Sequence, residues 1–166
     1  DLSFFNLKKF FNKNVFQERE FIVLRPISSR NQKLINLVMN IDNLGIFVMK
    51  KVEFLNNNDI FFDEFYSHQC FCPFYGFIEK SNNKKIGFLY EFMSNGSIKD
   101  IYEQENKEPK SYFYSFYVLI RIFKGLSYLK SNSLIHRDIQ PSNILVNHDE
   151  NPFFADNETI KKLNDS

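Results

Sequence analysis

Apolar residues follow short, strand-like runs through the first half of the chain and a helical period in the second. FIVLRPI (Phe21–Ile27) and LINLVMNI (Leu34–Ile41) read as strands. GIFVMKKVEF (Gly45–Phe54) reads as a third, joined to the second by a short Asp42-Asn43 turn. FYGFIE (Phe74–Glu79) and IGFLYEF (Ile86–Phe92) form a further hairpin around the polar tip SNNKK. Between Ser111 and Lys130 the main apolar stripe is Phe116, Leu119, Ile120, Phe123 and Leu126, spaced for one face of a helix. Pro109 and Ser111 supply its start signal. A second apolar face carries Phe113, Tyr117, Ile122 and Leu129. The short strands ILV (Ile144–Val146) and PFFAD (Pro152–Asp156) follow. A β-rich half followed by a helix and short strands predicts an α+β fold in two lobes. Phe4, Leu7, Phe11 and Val15 also fall at helical spacing, with Lys8, Lys9 and Lys13 nearby. They predict a tail packed on the β-rich half, with a membrane-surface helix as the alternative.

Composition narrows the function classes. At 166 residues and 43% hydrophobic content the chain can bury about one domain's core. A net charge of +1 gives no bulk attraction to nucleic acid or to an anionic membrane. No apolar run approaches the roughly 18 residues that span a bilayer, and the N-terminus lacks the order of a signal peptide. Cys70 and Cys72 are the only cysteines. That argues against a disulfide framework and for a reducing, cytoplasmic setting. With His68 they make an H-x-C-x-C cluster, for which zinc binding and core packing are the two readings.

The sharpest chemistry lies in HRDIQPSN, His136 to Asn143. Asp138 puts a carboxylate on a short loop where it can accept a proton from a substrate hydroxyl. Asn143 offers an amide oxygen to a metal ion, and Pro141 stiffens the loop between them. The octet resembles the catalytic loop of protein kinases, H-R-D-L-x-x-x-N, with Ile139 in place of Leu. FVMKKV resembles the kinase V-A-I-K strand. That resemblance assigns Lys50 to the α- and β-phosphates of ATP, against the alternative of an exposed edge-strand lysine. NPFFADNE resembles the strand ending in Asp-Phe-Gly, with Asp156 as a Mg2+ ligand beside Asn143.

The same resemblance makes YEFMSNGSI (Tyr90–Ile98) the hinge, with Glu91, Phe92 and Met93 at the adenine and Tyr90 as gatekeeper. It nominates Glu64, or else Asp59, as the carboxylate partner of Lys50. His136 would brace the loop, and Arg137 would pair with a phosphorylated segment further along.

Three departures stand out. The stretch RPISSRNQKLINLV holds no glycine where the family carries its Gly-rich loop. Ser28 and Arg30 fall near the first two glycine positions, and Arg30 or Lys33 would have to hold phosphate by charge. Gln140 replaces a lysine that touches the transferred phosphoryl. A neutral amide there could cost roughly 3 kcal/mol, about a hundredfold in rate. Asn157 and Glu158 replace Phe and Gly, and Asn cannot fill an apolar pocket without leaving polar atoms unpaired.

The resemblance covers about residues 21–166 and only the first part of a kinase domain. It implies an N-terminal extension (1–20), a small lobe and hinge (21–93) and an incomplete large lobe (94–166). It implies phosphoryl transfer from ATP, with Mg2+, to Ser or Thr hydroxyls of proteins, with Asp138, Lys50 and Gln140 as the catalytic set. The alternative is a pseudokinase that holds nucleotide poorly and acts through protein contacts. With two apolar faces on its long helix, the chain is expected to self-associate.

Overall fold

The computed structural model describes residues 15–28, 34–51, 68–80, 85–103 and 110–163. They divide into two compact units. One takes the described residues of 1–59 and 73–92; the other takes those of 60–72 and 93–166.

The first unit is a six-stranded sheet. Its strands are β1 (Val15–Gln17), β2 (Phe21–Ser28), β3 (Leu34–Asn40), β4 (Ile46–Lys51), β5 (Phe74–Glu79) and β6 (Lys85–Glu91), in the order β1-β5-β6-β4-β3-β2. All pairs are antiparallel except β1 with β5, which is parallel. The turn between β2's partner strand β3 and β4 is closed by Asn40, whose Oδ1 accepts from the backbone N–H groups of Asp42 (3.0 Å) and Asn43 (3.2 Å). Alternation sends Val38, Phe47, Met49 and Leu89 to one face, where they bury with Phe16, Phe21, Tyr75 and Ile78. Phe16, Phe21, Phe47 and Tyr75 meet edge to face in sequence, with centroids 5.9, 6.3 and 5.2 Å apart.

The tail departs from its helical expectation where it is described. Val15 belongs to a strand, and Phe16 is a core residue of the sheet. Residues 4–14 lie outside the described residues. Glu18 forms an ion pair with Lys51 of β4, and the backbone N–H of Ile41 donates to Glu20 O at 2.9 Å. Val15–Gln17 are therefore a strand of the sheet, and the 3-10 turn Glu18–Glu20 is tied to it by these two contacts.

The second unit contains α1 (Ile98–Glu103), α2 (Tyr112–Ser131), β7 (Leu134–Ile135), β8 (Ile144–Val146), β9 (Pro152–Phe154) and β10 (Lys161–Lys162). β8 pairs with β9 and β7 with β10, both antiparallel. Ser111 caps α2 by accepting from the Tyr114 backbone N–H at 3.2 Å. The strip 70–72 crosses into this unit. Cys72 N–H donates to Phe154 O and Phe154 N–H to Cys70 O, each at 2.8 Å. Cys70, Phe71, Leu129, Leu134, Ile144 and Phe154 form its core.

The buried face of α2 is not the predicted stripe. Val118, Gly125 and Leu129 are buried, with Ile122 and Leu126 packed alongside, while Phe116 (66% exposed) and Phe123 (67%) point outward. Gly125 decides the choice. A Cβ there would stand 2.3 Å from the Phe154 ring, so only the glycine face lets β9 approach the helix this closely.

Candidate active site

In the second unit, β7 delivers the chain into the HRD loop. His136 is 1% exposed, and its Nε2 lies 2.9 Å from Ala155 O. A carbonyl only accepts, so Nε2 carries the proton in this bond. Arg137 takes a left-handed conformation (φ 70°), and its Nε donates to Thr159 O at 2.6 Å. Asp138 is gripped on both oxygens. Gln140 Nε2 donates to Oδ1 at 2.7 Å and Asn143 Nδ2 donates to Oδ2 at 2.8 Å. Asn143 Nδ2 also reaches Asp138 O at 3.1 Å. Pro141 opens the single 3-10 turn Pro141–Asn143 that makes this reach possible, closed by Asn143 N–H on Gln140 O at 2.9 Å.

The Asp156 segment is sewn to that loop. Ala155 N–H donates to Asn143 O at 2.8 Å, and Thr159 Oγ1 lies 2.6 Å from His136 O. Asp156 is itself left-handed (φ 56°, ψ 39°), a conformation Asp tolerates better than most residues. Asp138 and Asp156 thus stand on adjoining segments. Asn157 is buried. Its Nδ2 makes one long bond, 3.4 Å, to Cys72 O, and its Oδ1 finds no partner among the described residues.

In the first unit, Lys50 lies on β4, an inner strand between β3 and β6, and is only 4% exposed. That overturns the edge-strand alternative. Register puts it directly across from Ile35 and Phe88, with Val48, Leu37 and Tyr90 on the same face. Burying an ammonium is costly enough that this position calls for a chemical reason. Glu91 ends β6, with its N–H donated to Pro73 O at 3.0 Å. Burial and then the Glu91 carboxylate push the Tyr75 phenol above its usual range. Phe92 is half-buried at the end of this unit. Met93 is buried in the second, its carbonyl accepting from Gly96 N–H at 3.2 Å. Ser28 is the last residue of β2. Arg30, Lys33, Asp59 and Glu64 lie outside the described residues.

A model of the protein kinase domain matches residues 33–165. The chain belongs to the protein kinase family. It is 38% identical over 84 residues to mitogen-activated protein kinase kinase 1c of Physcomitrium patens, covering 50% of this chain and 22% of that protein. Over 136 residues it is 29% identical to mitogen-activated protein kinase kinase 3 of Arabidopsis thaliana, covering 81% of this chain and 25% of that protein. With the dual specificity mitogen-activated protein kinase kinase dSOR1 of Drosophila melanogaster it shares 38% over 85 residues, 48% of this chain and 20% of that protein. The chain therefore spans about a quarter or less of the length of these relatives. The mostly antiparallel sheet followed by a helical unit is the α+β kinase arrangement that the sequence predicts.

Within the kinase family, the use of ATP and a divalent metal is general. Among the described residues of this kinase chain no cluster of His, Cys, Asp and Glu could hold a structural metal, so the zinc reading of His68, Cys70 and Cys72 has no support. His68 instead stacks on Tyr128, with centroids 4.0 Å apart. Burial, aided by the Arg121 charge, lowers its basicity. Both cysteines are buried, and burial pushes the Cys70 thiol up. No helix among the described residues is long and apolar enough to cross a membrane.

Sequence reasoning missed Thr159, whose carbonyl and hydroxyl meet the HRD loop and whose N–H closes the turn at Asp156. The only signal was a hydroxyl three residues beyond Asp156. It did foresee the misfit of Asn157. Asn157→Leu, which removes an orphaned buried oxygen, is expected to stabilise the chain by about 1 kcal/mol and raise the melting point by a few degrees. Thermal unfolding measures it, and a lower melting point would mean that the Cys72 bond outweighs the orphan.

Proposed function

We propose that this kinase chain transfers the γ-phosphate of ATP to Ser or Thr hydroxyls of proteins. The observation that carries the proposal is the seating of Asp138. Two neutral amides hold its carboxylate in one rotamer, and neither brings a positive charge that would weaken it as a base. In this reading Asp138 accepts the proton of the attacking hydroxyl, and Gln140 steadies it where a lysine would also neutralise the phosphoryl.

Lys50 anchors the α- and β-phosphates, with Glu64 as its partner. The backbone of Glu91 to Met93 meets the adenine edge, with Phe92 against the ring and Ser28 and Arg30 near the phosphates. Asn143 commits its Nδ2 to Asp138, which leaves Oδ1 as a hard oxygen donor, and Asp156 offers a carboxylate. This donor chemistry suits Mg2+. The metal, when bound, would offset phosphate charge; Asn143 and Asp156 are the residues that would hold it.

A second reading, a pseudokinase acting through protein contacts in the cytoplasm, is favoured by the neutral Gln140 and the ill-fitting Asn157. The two readings separate in a thermal-shift titration with Mg-ATP, followed by transfer of labelled γ-phosphate to a mixed Ser/Thr peptide pool. A shift with transfer supports the enzyme, and a shift without transfer supports the pseudokinase. Neither shift nor transfer would overturn nucleotide use altogether.

A further inference from the structure

We infer that Thr159 is a positioning residue for the metal-binding carboxylate, fixing Asp156 against the catalytic loop. The inference rests on the proposed reading of Asp138 and Asp156.

Two non-glycine residues of this site, Arg137 (φ 70°) and Asp156 (φ 56°), take left-handed conformations, and each needs surrounding structure to hold it there. One residue touches both. Thr159 N–H donates to Asp156 O at 2.9 Å, closing the turn that follows the left-handed aspartate. Thr159 O accepts from Arg137 Nε at 2.6 Å. Its Oγ1 lies 2.6 Å from His136 O and 2.8 Å from Asp156 O.

A hydroxyl carries a single proton, and both oxygens are acceptors only. His136 O, of the peptide that precedes Arg137, is the nearer acceptor and Asp156 O already accepts from the Thr159 N–H, so the hydroxyl proton is assigned to His136 O. The side-chain hydroxyl thereby joins the catalytic loop to the turn that aims Asp156. Branching at Cβ restricts χ1 and keeps the hydroxyl on that line.

Thr159→Val keeps the branch and both backbone bonds and deletes only the hydroxyl; Thr159→Ser keeps the hydroxyl. In the full chain, the magnesium concentration that half-saturates the Mg-ATP thermal shift should rise several-fold in Thr159→Val and return to near wild type in Thr159→Ser. Peptide transfer should fall about tenfold in the valine variant alone. Without magnesium or nucleotide, hydrogen exchange across residues 152–160 should quicken in Thr159→Val and not in Thr159→Ser. If the valine variant does not fold, Thr159→Ala, which also lacks the hydroxyl, takes its place.

Wild-type magnesium dependence in the variant lacking the hydroxyl overturns the inference, as does a serine variant equally impaired. A wild-type chain that shows no Mg-ATP shift overturns instead the nucleotide reading on which the inference stands.

Discussion

Asp138→Asn leaves the chain folded and able to bind Mg-ATP but lowers phosphate transfer by about 10²- to 10⁴-fold, the usual contribution of a positioned general base. The local chemistry explains why the loss should be clean. Asn offers one oxygen and one NH2 where Asp138 now accepts on two oxygens, so one of its two amide partners would meet a second donor. Gln140 is exposed and can turn its amide to present Oε1, whereas Asn143 is half-buried and keeps its bond. The loop therefore keeps its shape, and the melting point should move by no more than about a degree or two. Initial rates on the peptide pool, with the nucleotide shift recorded in parallel, make the comparison. Transfer that survives the substitution would remove Asp138 from the role of base.

The 166-residue chain should self-associate through α2. Tyr112, Phe113, Phe116, Leu119, Ile120 and Phe123 are all about half or more exposed and lie along neighbouring turns of one helix. Covering each such side chain is worth roughly 1.5–3 kcal/mol, comparable in sum with the whole stability of a small domain. Contiguous surface of this kind drives association. In sedimentation the wild type should run as oligomers and the double variant Phe116→Glu, Phe123→Lys as monomer, with little change in melting, because both rings face outward. A monodisperse wild-type monomer would show that the face is covered or harmless.

The elements that one-dimensional pattern could specify are apolar runs bounded by turn signals. β5 and β8 fall on their predicted ends, and β2, β3 and β6 match within one residue at either end. The long helix and its Ser111 cap were equally legible. Its inward face was not. An apolar stripe counts side chains, while the contact that chose the face depends on the side chain Gly125 lacks, opposite a ring that comes from a distant strand. β1 was hidden because VFQ is not a continuous apolar run like the ILV of β8, and the helical spacing of residues before it pointed the other way.

At the site, residue types and spacing nominated Asp138 and Asn143, and the resemblance to the kinase strand nominated Lys50. The burial of Lys50 on an inner strand, and the amide clamp on Asp138, depend on pairing that no local window contains. Thr159 escaped for the same reason. Two of its partners, His136 and Arg137, lie on a loop more than twenty residues earlier.

The crossing of the strip 70–72 into the second unit has a consequence in time. During synthesis every strand of the first unit has emerged once β6 is complete. Cys70 and Phe71, by contrast, must wait for Phe154, roughly 80 residues later and about 4–16 s at ordinary elongation rates. In that interval the chain would expose two thiols and an aromatic side chain that the finished protein keeps wholly inside. Closing so long a loop is also the slowest kind of contact for a small unit to make. For these three side chains the vulnerable period is thus biosynthesis rather than the folded life of this kinase chain.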